Sequence, residues 1–452
     1  MIFQNLARQN EIGSNSYMLD TGDCRIVLDA GMHPKEEAWE AIPNYNELAP
    51  NSVDAIFLTH SHLDHAGTLP VIMRDQSDAP VYMTAATAAL SKALLHNSVN
   101  VMQSKRVELG ITDYPLFGHR ELDRLETRWH HKDYQETFNL SLNTTATLYD
   151  AGHILGSAGV LIEANGKSVF YTGDIQFKDQ TLITGADFPE EDIDALIIET
   201  TRGATESNPE YDRTKEQDKL CEAILTALER GGSALIPVFA MGKTQEVLTM
   251  LYQFKQDGRI PEKTPIFIGG LSTKMTVLFD ELADSTPRRM PGFQILEEME
   301  VRTGSKKRNR TPITYQPGAI YALSSGMMTE KTVSNNFAQH FINNPKNSLL
   351  FVGYAAPDSP AGKIRITPRG DIIELSPEAE PVVFDCDMEI FDFSGHSDRD
   401  ELLDYILRVK PKQAFLVHGD IEASKWFKEQ LAELLPDCEA IIPTPKKLYT
   451  IS

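Results

Sequence analysis

Within the stretch Thr59-His60-Ser61-His62-Leu63-Asp64-His65 the chain sets three imidazoles and a carboxylate side by side, and no other segment restricts the fold so tightly. These are good zinc ligands, and a set this dense reads as a metal site. The preceding residues, Val53-Asp54-Ala55-Ile56-Phe57-Leu58, read as a buried strand, and Ala66-Gly67-Thr68-Leu69-Pro70 as the start of a helix. The cluster is therefore expected on the turn at the carboxyl end of a strand, where open α/β sheets place their sites.

Four later motifs repeat this design, a polar residue at the mouth of an apolar strand. They are His153 in Asp150-Ala151-Gly152-His153, Asp174 closing Ser168-Val169-Phe170-Tyr171-Thr172-Gly173-Asp174, His396 in Phe393-Ser394-Gly395-His396, and His418 in Phe415-Leu416-Val417-His418-Gly419. Adding three of them, His153, Asp174 and His418, to the first cluster makes a two-metal arrangement. His60, His62 and His153 serve one ion, Asp64, His65 and His418 the other, and Asp174 is free to bridge. Because imidazoles dominate, zinc is expected rather than magnesium, so the cofactor is two Zn2+.

Strand and helix patterns alternate along the chain, which favours a layered α/β architecture. Helices are expected from Thr84 to about Leu109 and from Thr214 to Arg230, the second stopped by Gly231-Gly232. At 452 residues the chain exceeds what one hydrophobic core serves, so two packed units are expected. No apolar run is long enough to span a bilayer and the start lacks signal-peptide order, which predicts no membrane partner and a cytoplasmic location. Cys24, Cys221, Cys386 and Cys438 are far apart and read as buried thiols. The formal net charge of −22 repels a nucleic-acid backbone on average, so such a substrate needs a local basic surface. The run Arg302-Thr303-Gly304-Ser305-Lys306-Lys307-Arg308-Asn309-Arg310 is the candidate.

Taken together, these motifs resemble the metallo-β-lactamase superfamily, whose H-x-H-x-D-H signature spans His60 to His65, with Asp29, His153 and Asp174 matching its other positions. Glu199 in Ile197-Ile198-Glu199-Thr200-Thr201-Arg202-Gly203, His396 and His418 resemble the three markers of the β-CASP nucleases. The resemblance covers almost the whole chain. It implies an α/β fold, a metallo-β-lactamase αββα sandwich with an inserted β-CASP cap: sandwich over 1–204, cap over 205–375, sandwich again over 376–452. The active site would lie in the cleft between them, which suits a single strand better than a duplex.

The resemblance also implies a zinc-dependent ribonuclease in which two metals activate a water and His396, oriented by Glu199, protonates the leaving oxygen. Asp64 counts among both the ligands and the catalytic residues, and Asp29 is expected to accept a hydrogen bond near the first cluster. Ser397-Asp398-Arg399-Asp400 has capping-box character and opens a helix after His396.

Pro237-Val238-Phe239-Ala240-Met241-Gly242-Lys243-Thr244 approaches a nucleotide-binding P-loop, but Pro237 replaces its first glycine and removes both φ freedom and an amide donor. The segment fits better the β-CASP stretch Gly-Arg-x-Gln-Glu, here Gly242-Lys243-Thr244-Gln245-Glu246. Lys243 is a candidate phosphate contact, with Ser324, Ser325 and Lys363 as candidate clamp residues in stretches that depart from the family's wording.

Single-stranded RNA is the expected partner, since a histidine at position 418 resembles the RNA-cleaving branch. DNA is the nearest alternative. A thioesterase-like hydrolase and a non-catalytic RNA-processing subunit are more distant ones. The long segment between Glu199 and His396 argues against the first, and the full ligand set against the second. The oligomeric state stays open, a homodimer among the options.

Overall fold

Ile26 and Leu28 of the strand Arg25–Leu28 point one way and Val27 the other, yet all three are fully buried, so this strand must be covered on both faces. The computed structural model, which describes residues 1–303 and 313–452, supplies both covers. Ile26, Leu28 and Phe57 meet Val160, Ile162, Val169 and Ile197 of a second sheet. Val27, Ile56 and Val81 lie under Leu69, Ile72 and Ala88.

The chain forms two units, the first made of residues 1–179, 185–207 and 396–452, the second of 180–184 and 208–395. In the first unit, one seven-stranded sheet runs Leu448–Thr450, Ile2–Asn5, Tyr17–Asp20, Arg25–Leu28, Ala55–Phe57, Val81–Met83, Trp129–His131. The other runs Glu439–Ile441, Gln413–Val417, Ala195–Glu199, Lys167–Tyr171, Ala158–Ala164, Thr144–Asp150, Phe138–Asn139. Outside this second sheet, Phe170, Leu196, Ile198 and Leu416 pack under Leu402, Tyr405, Ile406, Phe427 and Leu431. The layers are helix, sheet, sheet, helix.

Local chemistry sets the helix ends. The helix Ala85–Leu109 starts where the Thr84 hydroxyl accepts from Thr87 N at 3.1 Å and stops at Gly110, whose φ of 69° ends the helical geometry. The helix Arg213–Glu229 is capped by Asp212 and followed by Gly231 at φ 73°. Arg399–Val409 opens on a capping box of Asp398 and Glu401.

The second unit holds a wholly parallel six-stranded sheet, in the order Arg302–Thr303, Ile266–Ile268, Ile320–Leu323, Ala234–Pro237, Ser348–Phe351, Asp387–Ile390. Residues 376–395, which the sequence reading places in the returning sandwich, cluster here instead. The reason is that Asp387–Ile390 pairs with Ser348–Phe351 as the last strand of this sheet. The strap 180–184 also belongs to this unit. Thr181 N and Leu182 N donate to the two oxygens of Glu246 at 2.6 and 3.0 Å, Glu246 pairs with Arg213, and Leu182 is buried.

No helix among the described residues is long and apolar enough to cross a membrane. All four cysteines are buried thiols. Of the basic run 302–310, only Arg302 and Thr303, an exposed strand, lie within the described residues.

Candidate metal centre

The strand pairings bring together carboxyl ends that are far apart in sequence. Lys167–Tyr171, Ala195–Glu199 and Gln413–Val417 are mutually parallel, so Asp174, Glu199 and His418 emerge at one edge of their sheet. Thr144–Asp150 runs in the same sense, because it and Lys167–Tyr171 are both antiparallel to Ala158–Ala164, and the loop after it carries His153. The first sheet contributes Asp29 after Arg25–Leu28 and His60 after Ala55–Phe57. His62 occupies the N-cap position of a single helical turn, Leu63–Ala66, that carries Asp64 and His65, where the sequence suggests a turn leading into a helix from Ala66.

Two groups of donor atoms result, His60, His62, His153 and Asp174 in one, Asp64, His65 and His418 in the other, each with its atoms within 4.8 Å of one another. In the first, His62 Nδ1 lies 3.1 Å from both His60 Nε2 and His153 Nε2, and Asp174 Oδ2 lies 3.5 and 3.6 Å from those two nitrogens. In the second, His418 Nε2 is 3.4 Å and His65 Nε2 4.0 Å from Asp64 Oδ2. Asp174 turns its other oxygen, Oδ1, to this group, 3.3 Å from His65 Nε2.

That Oδ1 atom is buried and accepts no hydrogen bond. A buried carboxylate oxygen without a partner costs about 1–3 kcal/mol or more, so it calls for a cation. Neighbouring donors around a tetrahedral zinc with bonds of about 2.0–2.1 Å sit roughly 3.3 Å apart. The spacings in the first group match that value, and the residues fit zinc.

Burial, reinforced by the neighbouring imidazole of His65, holds His60 well below the usual histidine range, and burial lowers His62 as well. Both are therefore neutral, the form that binds metal. Burial alone would lower His65 too, but the charges of Asp174 and Asp29 raise it well above that range. Burial opposes ionisation of Asp64 and Asp174. The surrounding imidazoles, His418 foremost, outweigh it, holding the Asp64 carboxyl at about 2 and keeping Asp174 well below the carboxylate range.

Asp29 accepts from Thr59 N, Tyr171 Oη and His65 Nδ1, each at 2.7 Å. It and His418 adopt left-handed backbone, with φ of 61° and 48°. For side-chain-bearing residues this is strain that persists only where the surroundings impose it.

Beside Asp174, His396 Nδ1 lies 3.1 and 3.0 Å from the two oxygens of Glu199, which also accepts from Ile175 N at 2.6 Å. Burial would lower His396, but the Glu199 charge and hydrogen bond lift it to about 9. Its Nε2 sits 4.0 Å from Asp174 Oδ2.

Lys243 is the first residue of the helix Lys243–Gln256 in the second unit, and its Nζ donates to the Phe393 carbonyl. With Pro237, Phe239, Gly326, Gly353, Tyr354 and Arg365 it lines a narrow crevice with no room for a water molecule as it stands. The crevice opens at the carboxyl ends of three adjacent parallel strands, the general ligand position in such sheets. Ser325 Oγ bonds Thr329 Oγ1 at 2.8 Å, and Ser324 Oγ lies 3.5 Å from the Gly269 carbonyl. Lys363 is exposed on the helix Pro360–Ile366 and is not among the crevice residues. Arg365, two positions on, is. Its Nε is buried without a partner and its guanidinium lies 4.5 Å over the Phe351 ring. No motif signals Arg365, and the only sequence cue is that it is one of two basic residues, with Lys363, on a short and otherwise apolar helix.

Comparison with known proteins assigns residues 10–211 to the model of the metallo-β-lactamase superfamily, 244–364 to the β-CASP domain, and 382–443 to the zinc-dependent metallo-hydrolase RNA specificity domain. A probable ribonuclease of Methanocaldococcus jannaschii is 30% identical over 422 residues, covering 91% of each chain. A ribonuclease of Thermus thermophilus is 31% identical over 428 residues, again 91% of each. The transcription termination factor FttA of Pyrococcus abyssi is 29% identical, and the match takes in 91% of this chain but 65% of that longer protein. A crystal structure of an Enterococcus faecalis protein of unknown function aligns over 99% of both chains with a TM-score of 0.58 at 13% identity, which shows a common fold.

Proposed function

Because this chain belongs to the β-CASP ribonuclease family of the metallo-β-lactamase superfamily, whose members are metal-dependent hydrolases, we propose that it hydrolyses phosphodiester bonds of single-stranded RNA with two zinc ions. The observation that carries the reading is the Asp174 carboxylate, one oxygen turned to each imidazole-bearing group, with the His396–Glu199 pair beside it. His60, His62 and His153 would hold one ion and Asp64, His65 and His418 the other, with Asp174 between them. Bound there, the zinc ions bring a water's pKa to near neutrality and offset charge on the phosphodiester.

His396 performs the second half of the reaction. As hydroxide, the water having given its proton to solvent, attacks phosphorus and the bond to the leaving oxygen breaks, that oxygen takes a proton from Nε2, while Nδ1 keeps its own and donates to Glu199. Glu199 thereby keeps the imidazole charged and aimed. The match of residues 382–443 to an RNA specificity domain favours RNA over the DNA alternative.

The test is to incubate purified protein with matched single-stranded RNA and DNA labelled at either end, alongside a zinc assay. RNA cleavage, about two zinc equivalents per chain and loss of activity on chelation are expected. Cleavage of DNA alone, or full activity without metal, would overturn the reading.

Lys243 is the proposed phosphate contact of the second unit, with Arg365 beside it in the crevice and Ser324, Ser325 and Lys363 as further candidates. Lys243→Ala is expected to raise KM roughly tenfold with kcat little changed, the worth of one charge-assisted hydrogen bond. The salt dependence of binding should flatten by about 0.7 in log–log slope. Burial pushes the Lys243 ammonium down to about 8. Its charge is present below that pH and lost above it, so KM of the unaltered protein should climb between pH 7 and 9. A KM titration in which Lys243→Ala shows the same climb would remove Lys243 from the substrate contacts.

A further inference from the structure

Two threonine hydroxyls outside the donor groups touch the far nitrogen of an imidazole in each. Thr59 Oγ1 lies 3.1 Å from His60 Nδ1, and Thr201 Oγ1 lies 2.9 Å from His418 Nδ1. A hydroxyl has one hydrogen to give. Thr59 Oγ1 also lies 3.0 and 2.8 Å from Asp29 Oδ1 and Oδ2, and an ionised carboxylate only accepts, so the hydroxyl hydrogen goes to Asp29. The remaining contact is then a hydrogen bond only if His60 carries its proton on Nδ1. Thr201 Oγ1 likewise lies 3.1 Å from the His418 carbonyl, which can only accept. The single assignment that makes both of its contacts hydrogen bonds puts the proton of His418 on Nδ1. Asp174 Oδ1, 3.2 Å from that nitrogen, accepts no hydrogen bond, so Thr201 is its partner.

With Nδ1 protonated, each ring presents a bare Nε2. In His60 that atom faces His62 and Asp174, in His418 it faces Asp64. The two rings belong to different donor groups. We propose that Thr59 and Thr201 are positioning residues, each fixing the tautomer and orientation of one imidazole, one for each metal position. This rests on the assignment of His60 and His418 as metal ligands made above.

The two hydroxyls are anchored differently. Thr59 is fully buried and draws on the same carboxylate that holds His65 directly, so its removal disturbs more than His60. Thr201 is half-buried on the loop after Ala195–Glu199 and uses the backbone of the very residue it orients. Thr201→Val, close in shape and lacking the hydroxyl, is therefore the cleaner variant.

The experiment measures zinc binding by competition with a chelator in the unaltered chain and in Thr201→Val, Thr201→Ser, Thr59→Val and His418→Ala, with the melting temperature of each metal-free protein. Thr201→Val should weaken one of the two zinc ions by about 10–100-fold, the usual effect of losing such a partner, and leave the other unchanged. Thr201→Ser should restore it, and metal-free melting should not shift between the Thr201 variants. Thr59→Val should weaken the other ion. Unchanged affinities in Thr201→Val, when His418→Ala loses one ion, overturn the proposal alone. So does a weakened ion that serine fails to rescue and that tracks a fall in metal-free melting. Two ions bound normally by His418→Ala overturn the ligand assignment itself.

Discussion

His396→Ala should retain both metal ions and lose turnover by about 10²–10⁴-fold, the range for removing a general acid. His396 stands apart from the two groups that carry the other imidazoles, and its Nδ1 is held between the two oxygens of Glu199. Only Nε2 faces the centre, 4.0 Å from Asp174. A group so placed can deliver a proton without being needed to hold a cation. Steady-state kinetics on zinc-loaded protein together with a metal assay checks this. Loss of an ion would make His396 a ligand, a role its inclusion with Asp174 and Glu199 in a third cluster of donors keeps open to measurement. Full turnover with both ions in place would remove it from the chemistry altogether.

Gly31→Ala should be nearly as damaging although the residue has no side chain and touches no reactant. A Cβ there would lie 1.8 Å from the Asp64 carbonyl oxygen and 2.5 Å from Asn15 N. Both are backbone atoms pinned by hydrogen bonds. Asn15 N donates to Asp64 O, Gly31 N to Asn15 O, Ala30 N to His65 O and Met32 N to Leu63 O, at 2.7 to 3.0 Å. The loop after Arg25–Leu28 is thus laced against the turn carrying Asp64 and His65, and a methyl group must part them. A loss of about 3–5 kcal/mol in stability is expected, at the upper end for single substitutions, with weaker zinc retention at the Asp64 and His65 position. Denaturant unfolding and metal content measure the two effects. Stability within about 0.5 kcal/mol of the parent would mean that the loops separate without cost.

The parts of this molecule legible in its sequence are those whose chemistry is local or whose residue type is rare. His60 to His65 announce themselves by density, and His153, Asp174 and His418 by ending apolar strands, and the fold brings their side chains together. The helix expected from Thr84 to about Leu109 runs over Ala85–Leu109, its ends legible because caps such as Thr84 and Gly110 act over three or four residues. Thr201 was invisible as a partner of His418 because the two lie 217 residues apart and meet only through the pairing of Ala195–Glu199 with Gln413–Val417. Threonine is too common at strand ends to signal such a role. Arg365 escaped for the same reason, its crevice being assembled from three strands of a parallel sheet. The extent of the second unit was blurred because Asp387–Ile390 declares its sheet only by pairing with Ser348–Phe351.

The strap 180–184 has a consequence for engineering. Since the second unit is built from two pieces of chain, removing or exchanging it takes two cuts rather than one. A chimera that replaces 208–395 alone leaves behind Thr181 and Leu182, whose amides need the carboxylate of Glu246, and a leucine side chain only 2% exposed in its native setting. The new partner must bring an acid at the matching place or the graft begins with two orphaned donors and an uncovered apolar group. A domain swap between relatives is therefore a two-segment transplant, and the short segment starts six residues after Asp174 in the chain.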